Sequence, residues 1–351
     1  MITVLILDNK EHSFQPLLKK NEPISFLPVS INFNLLSIFY SWINSYFSKD
    51  KIYVVCINGE ENEVLESCKG INEENIIIEP KRINYSISLF YATLIISKIY
   101  QDEVVFFFPV NFMFPQDFKM GNWLFSSGEI ANKDWIVIPS VLIDKDEKVN
   151  DFIEAGKSLT NIKGSDFFVV DSVSFAKDEF KKRKIFGKQG KFPGIVCGRQ
   201  KSILNSFIKD EKQLFLKNMY NFFKINSINW EQITAEYENL TNDVITYNYF
   251  AKNKNFLTIF LDTKPDYLDN WKSYIDRFSS KKDGNVVSGN VTINDIKNVI
   301  CFNYDEEEIN LDSLQNSVVV KKNGFVAIKS LNINKEVCDA VSKKEKKSKN
   351  C

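Results

Sequence analysis

The sequence predicts an α/β fold: a Rossmann-like domain followed by a smaller, β-helix-like C-terminal segment. Three observations carry this. From Met1 to Ile143, short β-branched runs alternate with stretches of helical spacing, the pattern of parallel βαβ units with helices on both faces. The first run, Ile2 to Leu7, ends at once in a polar loop, and in such sheets that loop lies at the carboxyl edge, where ligands bind. From Asp283 onward, β-branched runs are separated by Gly and Asn, which suggests stacked short strands.

The elements follow in order. Leu35 to Phe47 spaces its apolar residues as a helix does, and Lys51 to Ile57 is a β-branched strand. Glu61 to Lys69 reads as a short helix, Asn75 to Ile78 as a third strand and Tyr85 to Tyr100 as a helix. Glu103 to Phe108 is a fourth, fully buried strand, and Trp135 to Ile143 a further one. Phe180 to Gly198 is basic and glycine-rich, and a helix is expected near Lys201 to Phe223. Ser227 to Trp271 mixes short helices with a strand at Phe256 to Leu261. These readings place an α/β domain at 1–278, a β-rich domain at 279–336 and a disordered lysine-rich tail at 337–351.

The chain has 351 residues, 44% hydrophobic and 26% charged, enough for one large core and a smaller one. A formal net charge of zero argues against nucleic acid or an anionic membrane as partner. Only four arginines occur, so a phosphate site built on several guanidinium forks is disfavoured. The six cysteines are scattered without a CxxC pair, as expected of thiols in a reducing compartment. Met1 leads straight into a strand and the longest apolar stretch, Val104 to Met113, is too short to span a bilayer. A cytoplasmic protein with no membrane span is therefore expected.

Met1 to Val29 resembles the opening of the mannose-1-phosphate guanylyltransferases, within the sugar-nucleotide pyrophosphorylases. The shared frame is MITVLIL, Pro16-Leu17, Lys20-Asn21, Pro23 and Phe26-Leu27-Pro28. In that family the strand enters a Gly-Gly-x-Gly-Thr-Arg loop; here it enters Asp8-Asn9-Lys10-Glu11-His12-Ser13-Phe14-Gln15, with no glycine. The family's catalytic lysine falls at Ile24. Its Glu-Pro-x-x-Arg-Asn-Thr-Ala motif is matched at Glu79, Pro80 and Asn84, with Ile83 at the arginine. Its Pro-(Ser/Ala)-Asp-His motif keeps Pro109 but has Asn111 at the metal-binding aspartate and Phe112 at the histidine. A second metal aspartate falls at Tyr267, flanked by Asp266 and Asp269. The family's Gly-Tyr-Gly-Tyr stretch and Glu-Lys-Pro motif look deleted between Ile143 and Gly156, where Asp144 to Val149 remain. The C-terminal run from Gly284 to Val320 is similar to the family's β-helix-like segment. The resemblance implies a nucleotidyltransferase domain of the GT-A type over nearly the whole chain.

Transfer of a guanylyl group demands charge neutralisation on phosphoryl oxygens, by backbone N–H groups, Arg, Lys and carboxylate-held Mg²⁺. With the glycines, the Arg, the Lys and the first metal Asp all replaced, the resemblance implies a pseudoenzyme without catalytic residues or cofactor. Its partners would be an active paralogue or a second copy of the chain, in sugar-nucleotide or surface-glycan synthesis. By family position, Asp8, Lys10, Lys20, Glu79, Asn84 and Asn111 are the candidates for holding GTP or a GDP-sugar. The alternative is an active nucleotidyl- or glycosyltransferase with a rebuilt Mg²⁺ site at Asp144 and Asp146 or at Asp266 and Asp269. Plainer readings stand beside each: lysines on a solvated surface, Asp144-Lys145-Asp146 as a charged turn, Asp266 and Asp269 as a helix cap, His12 as a turn residue, Gly187 to Lys191 as a surface loop.

Overall fold

The computed structural model describes residues 1–7, 14–115, 117–143, 152–174, 188–208, 214–225, 230–238, 255–279 and 283–331. They form two compact units, Met1–Asn9 with Phe39–Pro265, and Lys10–Ile38 with Asp266–Cys351.

The first unit is built on an eleven-stranded sheet. Its parallel half is nucleated by Ile2–Leu7, every residue of which is buried. This strand pairs in parallel with Ile52–Ile57 on one side and Val104–Val110 on the other, and Ile52–Ile57 pairs with Ile76–Glu79. A continuous apolar run suits a strand covered on both faces. Val4, Ile6, Val105 and Phe107 join the cluster formed by the helix Tyr85–Ile99. Phe106 and Phe108 pack against Trp123 of the helix Gly121–Ala131, and Phe39 meets Phe108 at 6.0 Å between ring centroids.

The other half of the sheet departs from the all-parallel expectation. Val196–Arg199 runs antiparallel between Val104–Val110 and Ile136–Val137. The run expected as one strand over Trp135 to Ile143 is two short strands, Ile136–Val137 and Ser140–Leu142, separated around Pro139, whose ring nitrogen cannot donate to a ladder. Both pair in parallel with Phe256–Leu261. Beyond them a long hairpin, Phe152–Ile162 and Ser165–Ser174, turns at Lys163 and Gly164, whose φ values of 49° and 84° suit a tight hairpin connection. The strand Lys188–Lys191 joins this hairpin to Ser140–Leu142, and the hairpin's second strand pairs back onto Phe256–Leu261 through Phe168 and Thr258. These strands thereby close into a ring. Gly190 is required there: a Cβ would lie 2.5 Å from Cβ of Ser140 and 2.9 Å from the Phe260 ring.

The helix expected near Lys201 to Phe223 is two helices, Gln200–Ile208 and Leu214–Ile225. With Trp230–Glu238 they add Phe207, Met219, Phe223 and Tyr237 to the cluster over Tyr85–Ile99. Among the described residues no helix is long and apolar enough to cross a membrane. Cys56, Cys68, Cys197 and Cys301 are buried free thiols.

In the second unit, Phe14 meets the ring of Trp271 at 4.9 Å, and the Tyr274 hydroxyl donates to the carbonyl of Pro28. The helix Trp271–Phe278 is capped by Asn270 with a reciprocal Ser273 bond, so the cap is neither Asp266 nor Asp269. Short parallel strands follow. Val286–Ser288, Lys297–Asn303 and Gln315–Lys322 form one sheet, closed by antiparallel Phe325–Ser330, and Val291–Asn294 with Ile309–Asp312 forms another. Residues 18 apart stack: Asn294 bonds Asp312 at 3.2 Å and Asn298 bonds Asn316 at 3.0 Å. Val299, Cys301, Leu311 and Val319 fill the interior. The tail expected at 337–351 lies outside the described residues.

Candidate functional site

The parallel strands of the first unit all end at one edge of the sheet, the edge at which open α/β sheets bind ligands. Of the residues singled out from the sequence, Asp8, Lys10, His12, Asp144 and Asp146 lie outside the described residues. Of the Gly187 to Lys191 stretch, Lys188 onward is described and is a strand. Lys20 is a solvent-exposed residue of the second unit, and its neighbour Lys19 pairs with Glu22 at 3.3 Å.

Glu79 ends the strand Ile76–Glu79 and is 1% exposed. Its carboxyl oxygens face the Ser88 hydroxyl at 2.7 Å and the Tyr237 hydroxyl at 3.1 Å. Burial pushes its pKa up to about 7, against the opposing pull of those hydrogen bonds and of Arg82. The hydroxyl of Ser88 also reaches the carbonyl of Asn84 at 3.3 Å. One hydroxyl carries one proton, so when it is given to Asn84 the short contact with Glu79 requires a neutral acid as donor. Arg82 is itself engaged with Glu60 through both terminal guanidinium nitrogens. Glu79 therefore anchors the Trp230–Glu238 helix to the sheet from inside the core.

Asn84 caps the helix Tyr85–Ile99, its Oδ1 accepting from the Ile87 N–H at 3.1 Å. Asn111 is half-buried just past Val104–Val110 and offers a neutral amide where the resemblance implies a carboxylate. In the second unit Asp266 pairs with Arg277 at 3.4 Å, Tyr267 is half-buried, and Asp269 is exposed just before the Asn270 cap. Among the described residues no three His, Cys, Asp or Glu side chains are grouped to hold a metal ion. Neither an amide nor a phenol supplies the carboxylate charge through which proteins usually hold Mg²⁺.

The carboxyl edge also holds a cavity of about 670 Å³ within the first unit. It lies between the segment after Val104–Val110, the tip of the 152–174 hairpin and the end of Phe256–Leu261. Buried Trp123, Ile259 and Leu261 line it along with half-buried Phe118, Phe168 and Phe260. Asp117, Lys119 and Asp262 are exposed at its margin. None of these was singled out from the sequence. The one usable signal was position, since Asp117 and Asp262 follow the carboxyl ends of predicted strands.

No family model matches the sequence, and no curated protein matches it. Solved structures are similar in fold. The crystal structure of mannose-1-phosphate geranyltransferase from Thermus thermophilus superposes with a TM-score of 0.70 at 14% identity, over 98% of this chain and 99% of that one. The crystal structure of mannose-6-phosphate isomerase from Helicobacter pylori gives 0.53 at 17% identity, over 75% of this chain and 98% of that one. The chain thus has the mixed α/β nucleotidyltransferase fold of the sugar-nucleotide pyrophosphorylases, matched over nearly its full length at low identity.

Proposed function

We propose that this protein is a binding or regulatory member of the sugar-nucleotide pyrophosphorylase fold, derived from a mannose-1-phosphate guanylyltransferase, that has lost guanylyl transfer. It serves sugar-nucleotide or surface-glycan synthesis beside an active paralogue or a second copy of itself. The observation that carries this reading is the state of the carboxyl edge. Asn111 is neutral, and Glu79 has both carboxyl oxygens bonded within the core. Meanwhile a ligand-sized cavity persists at the same edge. Loss of one charge-stabilising donor costs about two to three orders of magnitude in rate, and here several are replaced together. The 18-residue stacking in the second unit supports reading residues 279–336 as a β-helix-like domain.

The test is calorimetric titration with GTP and with GDP-mannose, each with and without Mg²⁺, beside an assay for pyrophosphate release from GTP and mannose 1-phosphate. The expected result is no pyrophosphate release and no metal-dependent step in binding. Metal-dependent binding with GDP-mannose formation overturns the reading and directs mutagenesis to Asp144 and Asp146 or to Asp266 and Asp269.

A further inference from the structure

The cavity at the carboxyl edge carries its own recognition chemistry. Its margin holds three lysines, Lys119, Lys163 and Lys188, and three aspartates, Asp117, Asp166 and Asp262, and among the described residues no arginine lines it. Two of the amines are already engaged by aromatic faces. Lys163 Nζ stands 3.7 Å from the Phe125 ring, and Lys188 Nζ stands 4.9 Å from Phe168 and 5.9 Å from Phe260. Asp166 accepts from the Asn161 amide at 2.6 Å. Asp117, Asp262 and Lys119 are left without an ion-pair partner among the described residues, and the three lysines and three aspartates balance, so the margin carries no net positive charge to hold a phosphate.

The apolar part of the cavity has a definite shape. Phe168 and Phe260 meet edge to face, with centroids 5.6 Å apart, and both are half-buried. Such a pair packs against the C–H face of a puckered, non-aromatic ring. Trp123 is 5% exposed, and its indole N–H has no acceptor among the described residues. A buried donor in this state is satisfied by a ligand oxygen or a water. A carboxylate accepts from two hydroxyls at once, and Asn122 adds a donor and an acceptor at the same margin.

We propose that this cavity binds a neutral saccharide, with a sugar ring packed against Phe168 and Phe260 beside Lys188 and its hydroxyls bonded by Asp262, Asp117 and Asn122. The inference rests on the reading of the chain as a binding member of its fold, and it names the ligand class for that edge of the sheet.

The experiment uses the full chain and measures binding of mannotriose, maltotriose and mannose 1-phosphate by calorimetry and by saturation transfer to the sugar protons. A neutral trisaccharide is expected to bind more tightly than mannose 1-phosphate. Asp262→Asn, an exposed change that leaves the core alone, is expected to weaken it about tenfold, the usual scale of a lost charged hydrogen bond. Phe260→Ala is expected to weaken it about as much through the lost ring contact. Tighter binding of mannose 1-phosphate overturns the ligand class, and so does binding that neither variant changes. Silence toward all three sugars overturns this inference alone, provided that GTP, mannose 1-phosphate and Mg²⁺ together still yield no pyrophosphate. GDP-mannose formation overturns the binding-member reading with it.

Discussion

Two strands of similar make-up meet opposite fates. Val104–Val110, VVFFFPV, is buried at all seven positions. Phe325–Ser330, FVAIKS, is exposed at all six, with Phe325 81% and Ile328 66% accessible. Both are rich in β-branched and aromatic residues, so strand propensity does not separate them. Place in the sheet does. Val104–Val110 has strands on both sides and helices on both faces, whereas Phe325–Ser330 is the end strand of its small sheet. Apolar composition shows that a segment can be buried; the number of neighbours decides whether it is.

The strongest way to break this comparison is to truncate one ring in each strand. Phe107→Ala removes a fully buried ring packed with Val4, Ile6 and the Tyr85–Ile99 helix, and is expected to cost about 3–5 kcal/mol. Phe325→Ala is expected to stay within about 0.5 kcal/mol of wild type. Urea denaturation of both variants checks the pair. Comparable losses would mean that the exposed strand is covered in the working protein.

Glu79 sharpens the same contrast, because it is a polar group placed where only apolar ones are cheap. Below pH 4.5 the carboxyl is protonated in both the folded and the unfolded chain. As pH rises from 4.5 toward about 7 the unfolded chain ionises first, so stability falls, and above about 7 the loss is complete. A rise from 4.5 to about 7 corresponds to about 3 kcal/mol. Glu79→Gln keeps the shape without the charge. It is expected to match wild type near pH 4.5 and to exceed it by about 3 kcal/mol at pH 8. Denaturation midpoints across that range read the effect, and parallel pH profiles for the two proteins would refute it.

Much of this architecture was legible in local pattern. Ile2–Leu7, Ile52–Ile57 and Val104–Val110 each announce themselves as short apolar runs ending in polar turns, and the observed bounds differ from the predicted ones by a residue or two. What escaped depends on distant partners. The hairpin turning at Lys163 lacks the Asn-Gly or Asp-Gly signature, because a lysine takes the left-handed position beside Gly164. Ring closure joins Phe168 to Thr258, a pairing no local window contains. Glu79 was picked out by resemblance, yet one of its hydrogen-bond partners, Tyr237, lies 158 residues downstream. The cavity is harder still, since Trp123, Phe168 and Phe260 come from separate segments and each reads alone as core.

The smallest expected effect lies in the second unit, where a single cap sets the start of Trp271–Phe278. The Asn270 side chain accepts from the Ser273 N–H at 2.9 Å, and Ser273 Oγ accepts from the Asn270 N–H at 3.2 Å. Asn270→Ala removes the acceptor and leaves one of the helix's first N–H groups without its partner, for a loss of about 1 kcal/mol. Asn270→Gly removes the same acceptor but opens that N–H group to water, for a loss of only a few tenths of a kcal/mol. The order matters more than either size. If Ala and Gly are equally costly, the stabilisation comes from packing of Asn270 and not from its hydrogen bond. If Ala costs more, the buried side of the helix, held by Trp271 and Tyr274, depends on the polar cap that fixes where the first turn begins.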